Sequence, residues 1–226
     1  MDVADRPRAF VRVAGADARD YLQRMVSNDV DALAVGEAVP ALLLTAKARL
    51  IAPLVVWRRG DEDFLLLTEP ELGETVRAHL ARMRLRARCE IEAEEHACAL
   101  VFEGEGIATG FPGAVEMLDT DLEPTMSPEE LELRRIEAGV PRWGYELDDR
   151  VLPAEAGLDA THVSFSKGCY PGQEPIARLH YRGHVNRTLR VVELDDGTAV
   201  ERVTSRARRP DGTVVALAYV RIASDA

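Results

Sequence analysis

The sequence predicts an α+β fold built on antiparallel β-sheet, and two features of the pattern lead to this prediction. Up to about residue 185, strand-like apolar runs alternate with helical patterns, and neighbouring runs are joined by polar turns typical of hairpins. From Thr188 onward every apolar run is strand-like, and the turns DDG and PDG separate the runs. We therefore expect an α+β core at 1–185 and a small all-β domain at 186–226.

Periodicity and turn residues locate the individual elements. Helices are expected where apolar residues recur every three or four positions, at 16–26, 70–83 and 127–139. Strands are expected at 9–15, 38–45, 50–57, 64–68, on either side of the polar AEEH at 93–96, and at 114–118, 188–194, 199–207 and 213–222. The RRGDED segment at 58–63 is typical of a hairpin tip, and Ser164 and Ser166 look like strand positions.

The helix at 127–139 has the clearest boundaries. Ser127 can cap its first turn, and Pro128 suits the first helical position. Glu130 completes a capping box with Ser127, because its carboxylate can accept from the backbone N–H of the capping residue. Gly139 can end the helix.

Composition and charge exclude several classes of protein. The chain has 226 residues, 46% of them hydrophobic, and a net charge of −11. The longest apolar run, Leu50 to Trp57, is far shorter than the ~20 residues of a membrane span, and the N-terminus lacks an apolar signal core. We therefore expect a soluble, cytoplasmic protein with no membrane partner. The acidic charge argues against direct nucleic-acid binding, although 163–190 carries five Lys or Arg against one acidic residue, which suits an anionic ligand.

The three cysteines, Cys89, Cys98 and Cys169, do not form a disulfide framework or a CxxC pair. This usage fits a reducing compartment and argues against a structural zinc site. Cys89 and Cys98 lie in strand-like apolar runs and are expected to be buried and inert. Cys169 follows Lys167 in a turn that leads to a helix near Gly172, and both features favour a thiolate. A structural cysteine in a tight turn is the alternative.

Three other chemistries have weaker support. The glycine-rich stretch 104–110 lacks the following helix of a dinucleotide-binding loop, so we expect a plain turn there. No G-x-S-x-G sequence is present, which argues against a serine hydrolase. His180 and His184 could bind a metal together with Cys169, but Gly183 interrupts their helix. Exposed or hydrogen-bonded histidines are the simpler interpretation, and we expect no metal site.

The stretch KGCYPGQE, from Lys167 to Glu174, matches the signature K-G-C-Y-x-G-Q-E of the YgfZ family, relatives of the glycine-cleavage T-protein. Weaker similarities to that family follow in the expected order at 15–30, 135–147, 152–158 and 201–221. The resemblance implies discontinuous ferredoxin-like lobes around a central folate cavity. It also implies a C-terminal β-barrel, which we expect to be small and reduced because this chain is short for the family.

The resemblance also implies a function. Members of the family are folate-binding proteins that support iron–sulfur enzymes, so we expect a tetrahydrofolate cofactor and iron–sulfur client or assembly proteins as partners. Cys169 would be the reactive group, with Lys167 favouring its thiolate. The residues expected at the folate site, or beside the thiol, are Arg135, Glu137, Asn28, Tyr170, Gln173 and Glu174. An arginine suits the carboxylates of a folate tail, whereas the simpler roles are a helix-surface residue for Arg135 and a turn former for Asn28.

One departure separates this chain from the aminomethyltransferases that it resembles. Those enzymes carry an essential aspartate at a position that our alignment gives to Pro53. Proline has no group that accepts a proton or orients a folate nitrogen, so a classical aminomethyltransferase is not expected. A folate-dependent aminomethyl or one-carbon transferase nevertheless stays open as the alternative function. An RNA-interacting factor and a scaffold that has lost its ligand are two further alternatives.

Overall fold

The computed structural model describes residues 1–194 and 202–222, and within them the expected α+β fold with antiparallel pairing is confirmed. The strands, numbered in chain order, are β1 Val3–Asp5, β2 Ala9–Ala14, β3 Ala38–Leu44, β4 Leu50–Arg58, β5 Asp63–Thr68, β6 Glu90–Glu94, β7 Cys98–Phe102, β8 Ile107–Ala108, β9 Ala114–Leu118, β10 Arg187–Glu193, β11 Arg202–Arg208 and β12 Val214–Arg221. The helices are α1 Ala18–Met25, α2 Gly73–Met83, α3 Pro128–Glu137, α4 Asp159–His162 and α5 Gln173–Arg182. Short 3₁₀ turns occupy Pro70–Leu72 and Pro153–Ala156.

The largest sheet has the strand order β3-β4-β5-β2-β6 and forms the centre of the fold. Strand β5 is apolar on both faces, which is typical of a strand covered on both sides. On one face Phe64 and Leu66 pack in the cluster that contains the α1 and α2 side chains. On the other face Leu65 and Leu67 pack in the cluster that contains Cys98 of β7. Two layers therefore cover this sheet.

The second sheet has the order β1-β7-β9-β8. Its edge strand β1 was not predicted, because three residues are too few to show a periodic pattern. Val3 pairs with Val101 in β7, and the side-chain oxygen of Thr125 accepts from the Val3 backbone nitrogen at 2.9 Å. Strand β8 was also missed, since it is only two residues long and lies in the glycine-rich stretch.

The C-terminal strands form an antiparallel sheet in the order β10-β12-β11. Within the described residues this sheet is open, so the expected small β-barrel does not close there. Its inner side chains Val215 and Leu217 pack against Ile136 of α3, and the Tyr219 hydroxyl donates to the Glu146 carbonyl at 2.8 Å. The predicted DDG turn and the first residues of the strand expected at 199–207 lie outside the described residues.

Two further observations concern the remaining sequence predictions. The prediction that Ser164 and Ser166 lie in a strand is wrong, because the segment between α4 and α5 is irregular. The side chain of Lys167 in this segment is buried, as described below.

No helix in the described part of the chain is long and apolar enough to cross a membrane.

Candidate functional site

The segment Lys167–Glu174 is fixed to the rest of the fold by its lysine. The Lys167 ammonium donates to the carbonyl oxygens of Val26 and Asn28, at 2.8 and 2.6 Å, and the side chain is buried. Burial lowers the pKa of Lys167 to about 8, against the opposing effect of Asp29 and Asp31. The ammonium lies 5.5 Å from the centre of the Tyr170 ring. Its hydrogen bonds join this segment to the bend after α1.

Gly172 fixes the turn that leads into α5. Its φ of +86° lies in the left-handed region, and a Cβ atom there would come within 2.7 Å of the Thr45 carbonyl oxygen. The turn between β3 and β4 therefore packs directly on the backbone of Gly172. Only glycine satisfies both the backbone angle and this close approach.

Cys169 is the exposed thiol of the three. Cys89 and Cys98 are buried and free, as expected from their apolar surroundings. Burial raises the pKa of both, and that of Cys98 to about 12, so these two remain protonated thiols at neutral pH.

The other residues of the segment have distinct environments. Tyr170 is buried in an apolar cluster, which raises the pKa of its hydroxyl to about 12. Gln173 begins α5 and is half-buried, and Glu174 is exposed in the first turn, where a negative charge favours the helix. Their part in binding a cofactor remains a prediction.

Asn28 connects three parts of the chain. Its side-chain amide donates to the carbonyl oxygens of Pro40 and Thr161, at 2.7 and 3.1 Å, and its own carbonyl accepts from Lys167. The structure thus brings together Asn28 and Lys167, two residues that the sequence singled out separately.

Arg135 is buried, unlike the helix-surface residue of the simpler interpretation. Its guanidinium forms two hydrogen bonds to Glu132, one to Glu146 and one to the carbonyl of Val140. Burial alone would lower the pKa of Arg135, but these carboxylates raise it overall. Glu137 accepts a hydrogen bond from Arg209 at 2.7 Å. Both predicted cofactor residues are therefore already engaged within the protein.

A cleft with two adjoining chambers lies between the two N-terminal sheets and the segments that follow α3. We call this the central cleft. The inner chamber, of about 210 Å³, is lined by residues that include Pro53, Thr109, Leu158, Thr161 and His162. The outer chamber, of about 490 Å³, is lined by residues that include Met126, Leu131, Glu132, Arg135 and Arg142. The chambers share Arg6, Glu69, Phe111, Val140 and Pro141.

Two arginines and two glutamates meet at the base of the central cleft. Arg8 contacts Glu116 at 2.6 Å and Glu69 at 3.1 Å, and Arg6 contacts Glu69 at 3.3 Å. Burial raises the pKa of Glu116, but Arg8 outweighs it and lowers the pKa overall. The Nε atom of Arg6 is buried and has no hydrogen-bond partner within the described residues, although Glu116 lies 3.6 Å away. This donor is therefore available to a ligand or water.

Sequence reasoning missed these four residues. Arg6 and Arg8 belong to an N-terminal segment that carries no motif, and Glu69 directly follows a strand. Glu116 is the one of the four that the sequence could have indicated, because it is a carboxylate among the apolar residues of the short strand β9. A charge at such a position indicates a buried partner, but the sequence does not say which one.

His162 and Pro53 face the inner chamber. The imidazole lies against Gly110 and its Nδ1 is 2.7 Å from the Thr161 hydroxyl. Burial lowers the pKa of His162 to about 4, so the ring is neutral at pH 7. Pro53 pairs with Leu42 in β3, and its carbonyl accepts from the Thr68 hydroxyl at 2.8 Å. The proline therefore stands at the wall of the central cleft.

The histidines near Cys169 have other roles than the metal site weighed above. His180 stacks on Phe165 with ring centres 3.9 Å apart, and α5 ends at Arg182, before His184. No group of three or more His, Cys, Asp or Glu side chains that could hold a metal ion occurs in the ranges 1–194 and 202–222.

Sequence comparison relates the chain to a family of known proteins. The family model of the GCVT N-terminal domain matches residues 8–104. The tRNA-modifying protein YgfZ of Serratia proteamaculans is 27% identical over 264 residues, covering 91% of this chain and 80% of that protein. The mitochondrial iron–sulfur cluster assembly factor IBA57 homologue of Pyricularia oryzae is 29% identical over 245 residues, covering 93% of this chain. This chain spans only 61% of that homologue's length.

A solved structure gives the same fold. The crystal structure of glycine cleavage system aminomethyltransferase T from Bartonella henselae superimposes with a TM-score of 0.73 at 17% sequence identity. The match covers 95% of this chain and 76% of the other. The shared fold includes several antiparallel sheets and mixed α and β structure.

Proposed function

Because the chain belongs to the YgfZ family, related to the T-protein aminomethyltransferases, we propose that it is a tetrahydrofolate-binding accessory protein that supports assembly or repair of iron–sulfur clusters. The functions for which its relatives are named, iron–sulfur cluster assembly and tRNA modification, support this role. We also propose that discontinuous ferredoxin-like lobes of the core at 1–185 enclose the folate, and that 186–226 forms a small C-terminal domain. The free cysteines suit a reducing cytoplasm.

The shape and chemistry of the central cleft are the observation that carries the folate proposal. A folate combines a flat, hydrogen-bonding pterin, an apolar benzoyl linker and a carboxylate tail. The inner chamber offers buried polar groups, including the Arg6 Nε, which has no hydrogen bond within the described residues. Phe111 and Val140, shared by both chambers, provide apolar contact for the linker. We therefore propose that the pterin occupies the inner chamber, where a bound folate would present its one-carbon position.

The outer chamber suits the folate tail. Arg135 and Arg142 line it, and arginine binds carboxylates with two parallel hydrogen bonds. Arg135 already donates four hydrogen bonds to protein groups. We therefore propose that it fixes Glu132 and the chamber wall, and that it adds positive charge for the tail. The Arg142 side chain is 33% exposed and that of Arg135 is 6% exposed, so Arg142 is the more accessible of the two for a direct contact.

Calorimetric titration with tetrahydrofolate tests this proposal. Thr161 is exposed at the inner chamber, so Thr161→Trp should obstruct the cleft and weaken binding by at least about tenfold, the equivalent of ~1.4 kcal/mol. Thr75→Trp, on the exposed face of α2, is the matched control and should bind like the wild type. No binding by the wild type, or equal binding by both variants, would refute folate in the central cleft.

We propose that Cys169 provides the reactive thiol at a position separate from the cleft. Lys167 ties its segment to Asn28, and Asn28 in turn donates to Thr161 at the inner chamber. This chain of contacts gives the thiol a defined position relative to the folate. Cys169→Ser should fold normally yet fail to complement a strain that lacks its own homologue. The control variant Cys89→Ala, which changes a buried cysteine, should complement that strain. Full complementation by Cys169→Ser would reject the thiol's role.

The alternative is a folate-dependent one-carbon transferase of the T-protein type. Pro53 at the chamber wall argues against it, because the side chain supplies no carboxylate. Turnover of methylene-tetrahydrofolate by the pure protein would favour this alternative over an accessory role.

A further inference from the structure

Most arginines in the described part of the chain are paired with carboxylates within 4.0 Å. Lys47, Arg178 and Arg182 are exposed and have no hydrogen-bond or ion-pair partner among residues 1–194 and 202–222. The same holds for Arg86, Arg190 and Arg206, but Lys47, Arg178 and Arg182 line one cavity together. In a protein with a net charge of −11, carboxylates are plentiful. Three unpaired cations at one place therefore indicate a site for an external anion.

These cations surround a cavity of about 400 Å³ between α5, the β3–β4 turn and the 3₁₀ turn at Pro153–Ala156. Arg178 and Arg182 are four residues apart on α5, so they lie on the same face of the helix. Lys47 lies on the β3–β4 turn. The apolar lining residues include Ala48, Leu152, Pro153, Pro175, Ile176 and Leu179. The cavity thus combines an apolar interior with cationic groups.

We propose that this cavity binds a small organic anion with an apolar body, either a carboxylate or a phosphate monoester. The hydrocarbon or aromatic part would displace water from the lining of Leu152, Ile176 and Leu179, which favours binding in proportion to the apolar area covered. The anionic group would be bound by Arg178, Arg182 and Lys47 through charge-assisted hydrogen bonds. The volume fits the lower part of the range for small-molecule sites.

This site is distinct from the central cleft. The two share no lining residue in the described part of the chain, and the segment from Leu152 to His162 stands between them. Among the described residues, Asp159 is the single carboxylate that lines the new cavity. Its negative charge repels an anionic ligand and so limits the affinity. Neutralising Asp159 should therefore strengthen anion binding, whereas neutralising the arginines should weaken it.

Fluorescence titration with naphthalene derivatives tests the proposal. We expect 2-naphthoate or 2-naphthyl phosphate to bind at least about tenfold more tightly than the neutral 2-naphthylmethanol. The tighter of the two anions identifies the preferred head group. Acetate, which lacks the apolar body, should bind at least about tenfold more weakly than 2-naphthoate. The variant Arg178→Gln/Arg182→Gln should lose about tenfold in affinity for the anions, and Asp159→Asn should bind them more tightly.

Two control variants separate this site from general charge and from the cleft. Arg190→Gln/Arg206→Gln removes the same charge from two exposed strand residues that do not line the cavity, and it should bind like the wild type. Thr161→Trp, which obstructs the central cleft, should also leave naphthoate binding unchanged. The proposal would be overturned if neither anion bound detectably, or if 2-naphthylmethanol bound as tightly as the anions. Loss of naphthoate binding in Thr161→Trp would overturn it as well. None of these outcomes depends on whether tetrahydrofolate binds.

Discussion

The backbone of Gly172 has the tightest steric constraint in the segment that carries Cys169. Replacing it with alanine would place a Cβ atom 2.7 Å from the Thr45 carbonyl oxygen, at a φ of +86°. The left-handed angle alone costs ~1 kcal/mol, and the clash adds to it, so we expect Gly172→Ala to lose about 2 to 4 kcal/mol of unfolding free energy. Urea denaturation measures this loss.

Gly36 supplies the matched control for that substitution. Its φ is +93°, yet no heavy atom of the described residues lies within 4 Å of a Cβ atom built there. Gly36→Ala should therefore cost only ~1 kcal/mol, the penalty of the angle itself. Equal losses of unfolding free energy in the two variants would mean that the close approach of the β3–β4 turn to Gly172 adds nothing to the cost of the substitution.

Exposure of the three thiols predicts a simple labelling pattern. Iodoacetamide should alkylate Cys169 in the folded protein and leave Cys89 and Cys98 unmodified, because both are buried and remain protonated. After unfolding in guanidinium chloride, mass spectrometry should find three modified sites. Modification of Cys98 at the rate of Cys169 in the native state would contradict the buried position of β7.

At the scale of elements, His96 connects the ends of three strands. Its imidazole lies 2.9 Å from Glu94 at the end of β6 and 2.7 Å from Asp119 just after β9. Burial alone would lower the pKa of His96, but the two carboxylates raise it overall. Because the pKa of His96 is higher in the folded state, protonation of His96 stabilises the protein, and this contribution is complete below the unfolded pKa near 6.5. That contribution is lost as the pH rises through the folded pKa.

We therefore expect His96→Gln to be destabilising at pH 6 and less so at pH 9. Thermal unfolding of both proteins at the two pH values gives the comparison. His79→Gln is the control, since burial lowers the pKa of His79 and no carboxylate raises it. A difference in Tm between wild type and His96→Gln that is constant with pH would show that the imidazolium charge is not involved.

The elements differ in how far the sequence predicted them. Helix α3 was predicted almost to the residue, because its capping box between Ser127 and Glu130 is local and forms as expected. The environment of Arg135 on the same helix was not predictable, since it depends on Glu146 and on the C-terminal sheet that packs there. The cluster of Arg6, Arg8, Glu69 and Glu116 was missed for the same reason: it is assembled by the long-range pairing of β1 and β9 with β7 and of β5 with β2.

At the scale of the whole molecule, the ion pair of Arg8 and Glu116 joins the two N-terminal sheets. Arg8 is 7% exposed and Glu116 is fully buried. Removing Arg8 leaves the buried Glu116 with the Arg6 guanidinium, whose Nε lies 3.6 Å away, as a weaker counter-charge, so Arg8→Met should cost about 3 to 5 kcal/mol. Urea denaturation monitored by circular dichroism would measure it.

The double variant Arg8→Met/Glu116→Leu provides the internal control. Replacing both charges with apolar side chains removes the weakly compensated carboxylate, so the double variant should be more stable than Arg8→Met alone. A double variant less stable than Arg8→Met would mean that Glu116 is stabilised mainly by other groups, such as the Thr109 hydroxyl at 3.3 Å.

The hydrogen bonds from Lys167 also set the order in which the protein can be completed during synthesis. Lys167 follows Asn28 by 139 residues, which at ~5 to 20 residues per second separates the two on the ribosome by about 7 to 28 s. Throughout that interval the carbonyls of Val26 and Asn28 lack the Lys167 ammonium, and the β3–β4 turn lacks the glycine that packs on it. The N-terminal sheet is thus made first, and the segment that presents Cys169 is anchored on it later. A chain that stops before Lys167 therefore has a sheet with no thiol placed against it.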